Sequence, residues 1–205
     1  MRSPKSAPRV RDRQRHMEAV VLGASVGAVE ALSIILPGLP RGYALPLMVV
    51  VHSPPDKPSI IVELFRAKCR IEVKEAEDKE PIRPGTLYFA PPNYHLLVEG
   101  DRRLSLSSDP PVLFSRPSID VLFESAADAY GQHLAGVILS GANNDGARGL
   151  QAIGEAGGIT VVQSPESAQA AAMPQAALAA CPSARVMSLE QITEFLQHLS
   201  GRSST

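Results

Sequence analysis

Tryptophan is absent from the sequence, and aromatic residues make up only 4% of its 205 positions. A surface that stacks nucleic-acid bases needs aromatic faces, and one that gathers phosphates needs surplus positive charge. With 20 Lys and Arg against 21 Asp and Glu, the chain has neither. No nucleic-acid partner is expected. Long apolar runs are missing as well: none approaches the ~20 residues of a membrane-spanning helix, so no membrane insertion is expected. Cysteine is scarce. Cys69 and Cys181 stand far apart, with no CxxC pair and no histidine at metal-ligand spacing. That leaves no basis for a metal site and reads as two reduced thiols. With no secretory signal at the start, a cytoplasmic protein is expected.

What is present suits one globular domain: 44% hydrophobic and 20% charged residues, close to the globular average. The ends carry little to bury. Residues 1–17 read as a disordered basic tail, rich in Arg, Pro and Ser up to Arg15, and residues 201–205 as a frayed end. Between them, 18–200 form the expected domain.

Within that domain, short apolar runs alternate with helical patterns, the signature of a parallel sheet with crossover helices. Strands are expected at Ala19–Leu22, Leu47–Val51, Gly136–Leu139, Thr160–Val162 and Arg185–Met187. Helical spacing marks Gly27–Leu36, Pro58–Lys68, Ser118–Tyr130, Gly146–Ala156, Pro174–Ala180 and Leu189–Leu199, the last capped by Ser188. The stretch Ile71–Leu106 differs, with short runs separated by turns such as Glu99-Gly100-Asp101. It reads as a small antiparallel excursion. The fold class is therefore α/β: three layers, doubly wound, a mainly parallel sheet and an antiparallel hairpin.

Three polar residues fall just past the C-terminal ends of buried strands, where such sheets place their sites. Ser25 follows the first strand, His52 the second, and Asp145 lies in the loop after Gly136–Leu139. Together they supply a nucleophile, a base to activate it and an acid to orient the base. Singly, each has a plainer reading as a turn or helix cap. Gly23-Ala24-Ser25-Val26-Gly27 also fits the G-x-S-x-G elbow, but the order Ser, His, Asp departs from that of α/β-hydrolases. A rival reading makes Gly23–Ala28 a phosphate loop of a nucleotide-binding module. Its fingerprint is broken by Ser25 and Ala28, and His52 stands where a ribose-binding acid belongs.

Six collinear stretches resemble one family. They are Leu22-Gly23-Ala24-Ser25-Val26-Gly27, Val51-His52-Ser53-Pro54-Pro55, Lys74-Glu75-Ala76-Glu77-Asp78, Tyr88-Phe89-Ala90-Pro91-Pro92, the run from Arg116 through Phe123, and Val137 through Gly146. The chain is similar, over roughly Ala19–Leu199, to the chemotaxis-receptor methylesterases (CheB). The resemblance implies hydrolysis of glutamate γ-methyl esters on methyl-accepting chemotaxis receptors, with glutamine deamidation as a companion activity and no cofactor or metal. It also implies Ser25 as nucleophile, His52 as general base, Asp145 as its orienting acid, and backbone N–H groups of Ala142 and Val26 as the oxyanion site. Around these, Val26, Ala28, Ser53, Ser115, Ala142 and Asn143 depart from the family's usual residues. A weakly active member serving as a receptor-binding scaffold is the second reading. The family's phosphorylatable receiver domain has no expected counterpart before Ala19, so control by phosphorylation in cis is not expected, and a regulator in trans is left open.

Overall fold

The computed structural model describes residues 16–52 and 60–200. Most of the expected basic tail, the Pro54-Pro55 pair, Pro58 as an expected helix start, and the C-terminal stretch 201–205 expected to fray lie outside the described residues. Met17, read from sequence as tail, is buried, and its neighbour Glu18 donates its N–H to His133 O at 2.8 Å.

Continuous apolar runs become the central strands, covered on both faces, and more polar or exposed segments form the sheet's edges. These are β1 (Ala19–Ala24), β2 (Leu47–Val51), β3 (Glu72–Glu75), β4 (Thr86–Phe89), β7 (Leu134–Ile138), β8 (Ile159–Gln163) and β9 (Arg185–Met187). They form a seven-stranded parallel sheet in the order β3-β4-β2-β1-β7-β8-β9. Among the strands of the described residues, β5 (His95–Val98) and β6 (Leu104–Ser107) alone pair antiparallel, besides two isolated antiparallel bridges. The antiparallel excursion is thus smaller than its texture suggests, because β3 and β4 belong to the main sheet. The polar alternation of β3 has a simple cause: it is the edge strand, and of its residues only Val73 is buried.

Side chains alternate across the sheet and feed two apolar layers. Val20, Leu22 and Val49 pack with Leu32 and Ile35 of α1 (Ala28–Ile35), Phe65 of α2 (Ile60–Lys68) and Leu196 of α6 (Leu189–Ser200). Val21, Met48 and Ile138 pack with Leu122 and Phe123 of α3 (Ile119–Tyr130), Leu150 of α4 (Ala147–Glu155) and Ala177 of α5 (Ala172–Ala180). The β5–β6 hairpin extends this second layer through Leu96, Val98 and Leu104. From β1 the chain runs out to β2 on one side and later returns to β7 on the other. The switch point between β1 and β7 opens a crevice at the strands' C-terminal ends.

Gly23 sets how closely α3 approaches that crevice. A Cβ built on it would lie 2.3 Å from Ile119 Cγ2, far inside contact distance. Gly23→Ala is expected to force α3 off β1 and destabilise the fold by roughly 1–3 kcal/mol. Urea unfolding of the two proteins measures it, and an unchanged midpoint would refute the packing argument.

Candidate active site

The ends of β1, β2 and β7 bring the site together. Ala24 and Val51 are register partners, so Ser25 and His52 follow side by side on neighbouring parallel strands. The His52 N–H donates to Ala24 O at 3.1 Å, and the Ser25 N–H to Ser140 O at 2.9 Å, tying all three strand ends. From Ser140 the chain loops to Asp145, then enters α4 through Gly146. That residue's φ of +93° and the 2.6 Å left to Ile119 and Ile138 for a Cβ explain why a glycine follows the acid.

Asp145 is fully buried and accepts four hydrogen bonds. His52 Nε2 donates to Oδ2 at 2.8 Å and the Ile119 N–H to the same oxygen at 2.7 Å. Ser118 Oγ at 2.8 Å and the Asp120 N–H at 3.0 Å donate to Oδ1. The carboxylate therefore serves as the N-cap of α3, at the positive end of the helix dipole. Ser118, the residue in the cap position, makes no side-chain cap bond of its own and turns its hydroxyl to Asp145. Burial works against the charged carboxylate, but the His52 hydrogen bond and the Asp120 and Ile119 N–H groups outweigh it, holding its pKa below the usual carboxylate value.

An ionised Asp145 can only accept, so the His52 proton it binds sits on Nε2, which leaves Nδ1 as the lone-pair nitrogen. Nδ1 is the ring nitrogen nearer the backbone, suited to a partner one strand spacing away. Asn143 occupies it. Its Nδ2 lies 3.4 Å from His52 Nδ1 while its Oδ1 accepts the Asp145 N–H at 3.2 Å. Ser25 is half-buried beside this arrangement, and its hydroxyl makes no hydrogen bond among the described residues. Neither do the backbone N–H groups of Val26 and Ala142. Of the sequence-derived site, His52 and Asp145 are in contact, while Ser25 is adjacent but not hydrogen-bonded to His52. Ser118 and Asn143 join the triad as partners of Asp145 and His52, and in the sequence only the Arg-Pro-Ser and Asn-Asn-Asp-Gly patterns point to them.

Asp120, one residue into α3, has the opposite electrostatics. Its Oδ1 accepts the Gly149 N–H at 2.8 Å, whereas buried Oδ2 has no hydrogen-bond donor among the described residues and Arg148 Nε is 3.6 Å away. Burial raises its pKa; Gly149 and Arg148 oppose that, and the charge on Asp145 adds to it. A carboxyl held above its unfolded value stabilises the fold when protonated, and that contribution is lost as pH rises through the folded value. Asp120→Asn mimics the protonated form. It is expected to raise the melting temperature at neutral pH, with the gain shrinking as pH falls below the carboxyl range; calorimetry across that range checks the sign.

A family model described as CheB methylesterase matches residues 20–196. The chain belongs to that family. A relative in Leptospira interrogans, described as a putative protein-glutamate methylesterase/protein-glutamine glutaminase, is 47% identical over 182 residues, 89% of this chain and 94% of that protein. A protein-glutamate methylesterase/protein-glutamine glutaminase of Clostridium acetobutylicum is 36% identical over 78% of this chain. There the match spans only 47% of the relative. The crystal structure of the Thermotoga maritima CheB methylesterase catalytic domain superposes with a TM-score of 0.85 at 29% identity, covering 89% of this chain and 98% of that one. The parallel sheet and the small hairpin are thus the fold of a CheB catalytic domain.

Membership in the CheB family and the site's surroundings both disfavour the phosphate-loop reading. The cleft beside Gly27 is lined by the carboxylates of Glu30 and Glu166, with no Lys or Arg among its lining residues. An anion would be repelled there. Among the described residues no three potential metal ligands cluster, no helix is long and apolar enough to cross a membrane, and both cysteines are free thiols.

Proposed function

We propose that this chain is a protein-glutamate methylesterase, hydrolysing glutamate γ-methyl esters on methyl-accepting chemotaxis receptors in the cytoplasm, with glutamine deamidation by the same chemistry. The observation that carries the reading is the buried Asp145 holding His52 Nε2–H, which leaves Nδ1 as the basic nitrogen of a residue that follows the strand end beside that of Ser25. Ser25 Oγ attacks the ester carbonyl as its proton passes to His52 Nδ1. Asn143 yields that nitrogen when Ser25 engages it. The oxyanion is met by the N–H groups of Val26 and Ala142. Collapse breaks the carbonyl–methoxide bond, and His52 returns its proton to the departing methoxide as methanol. His52 then takes a proton from water, whose oxygen attacks the acyl-enzyme; the carbonyl–Ser25 Oγ bond breaks, His52 returns the proton to Oγ, and the glutamate side chain is released. With a glutamine substrate, ammonia replaces methanol as the leaving group.

The test is release of labelled methanol from a receptor cytoplasmic fragment carrying labelled methyl groups. Steady release above the uncatalysed rate is expected. An inert protein that still binds the fragment would replace this reading with that of a receptor-binding scaffold.

A further inference from the structure

Between Pro110 and Ser118 the chain makes a two-residue hairpin turn. Val112 and Ser115 exchange both backbone hydrogen bonds, at 3.1 and 2.8 Å, around Leu113 and Phe114. Both central residues have positive φ, 48° and 63°. That is the turn geometry for which Asn-Gly is the favoured pair, because a Cβ and bulk beyond it are penalised in the left-handed region. Burial does not compensate for the strain. Leu113 is exposed, and Phe114 is at 103% of its reference exposure. The fold would be better served by small polar residues here. Strain kept at an apolar tip points to a role outside the fold.

The tip is rigidly mounted. Arg116 donates to Asn93 Oδ1 at 2.6 and 3.1 Å and to the carbonyls of Ser108 and Asp109, clamping the base of the turn. Buried His95 bonds Pro110 O on one side and accepts the Ser118 N–H on the other. Ser118 in turn bonds Asp145. Phe114 is four positions from Ser118, so the tip stands within about 14 Å of chain from the residue that bonds Asp145. Val26, the residue after Ser25, and Val29 in the first turn of α1 are exposed and present further apolar surface.

We propose that the Leu113–Phe114 turn is a substrate-docking finger, seating its tip on an apolar surface of the protein whose glutamate ester is hydrolysed. This rests on the methylesterase reading and adds how the protein substrate is held. Two side chains supply far less than the ~800 Å² per partner of a stable dimer, which argues against a second copy as occupant. They suit an anchor inside a contact that already exists, because a protein substrate must lie across Ser25 to react.

The double variant Leu113→Asn/Phe114→Gly separates docking from fold and chemistry. It should melt roughly 3 °C or more above the parent protein, since the strain is relieved. Its KM for methanol release from a methylated receptor fragment should rise about tenfold or more. Hydrolysis of a small ester, N-acetylglutamate γ-methyl ester, should stay within about twofold. An unchanged KM for the fragment overturns the proposal, as does an equal loss on both substrates or a parent dimer that the variant dissolves. If the parent protein releases no methanol from either ester, the reaction reading fails instead, and direct fragment binding decides docking. Weaker binding by the variant then supports the finger, and equal or absent binding overturns it.

Discussion

Replacing His52 with Ala is expected to lower methanol release by about 10⁵–10⁶-fold while the protein still folds. Losing the base at a serine nucleophile costs about that much elsewhere, because the hydroxyl is a poor nucleophile until its proton has somewhere to go. The structural cost is small by comparison. Asp145 loses one of its four donors but keeps Ser118 Oγ and the N–H groups of Ile119 and Asp120. A stability loss of about 1–3 kcal/mol follows for one charged hydrogen bond. Rates and urea unfolding measured on the same preparation separate the two. A variant that keeps its stability and also its rate would remove His52 from the chemistry.

Asp145→Asn reverses the balance, with a rate loss of about 10⁴ and a larger loss of stability. The site around Asp145 is built of donors only. An amide of the same shape must aim an N–H at one of the four groups that now donate to the carboxylate. If that group is His52 Nε2, the ring proton is driven to Nδ1, the nitrogen that the proposed mechanism keeps free for Ser25. Breaking a buried, fully bonded charge of this kind costs roughly 3–5 kcal/mol. The pH dependence has the same origin. Because its folded pKa is depressed, Asp145 contributes stability above the usual carboxylate value and loses it as pH falls through the lower folded value. Acid unfolding of the parent protein should therefore contain a component that Asp145→Asn lacks. Identical acid-unfolding curves would contradict this.

Much of the fold was legible because hydrophobic runs reported burial directly. Leu47–Val51 and Arg185–Met187 come out at the same bounds in sequence and structure, and most other elements shift by a residue or two. The direction of β3 and β4 was not legible. Glu72-Val73-Lys74-Glu75 alternates because it is an edge, and an edge strand reads alike in either direction. The positions of Ser25, His52 and Asp145 followed from strand ends alone. Their supports did not. Ser118 reaches Asp145 only because Gly23 lets α3 sit against β1, and Asn143 meets His52 only once β2 and the loop after β7 are neighbours. The Leu113–Phe114 turn was equally hidden, since two apolar residues carry no turn signal.

Ser25 carries the central claim, and its hydroxyl stands beside His52 without a hydrogen bond to it. The direct measurement is labelled-methanol release from the methylated receptor fragment by the parent protein and by Ser25→Ala, side by side. Release that falls to the uncatalysed rate in Ser25→Ala, with an unchanged melting temperature, is the expected result. Equal release from the two proteins would contradict the assignment of Ser25 as nucleophile.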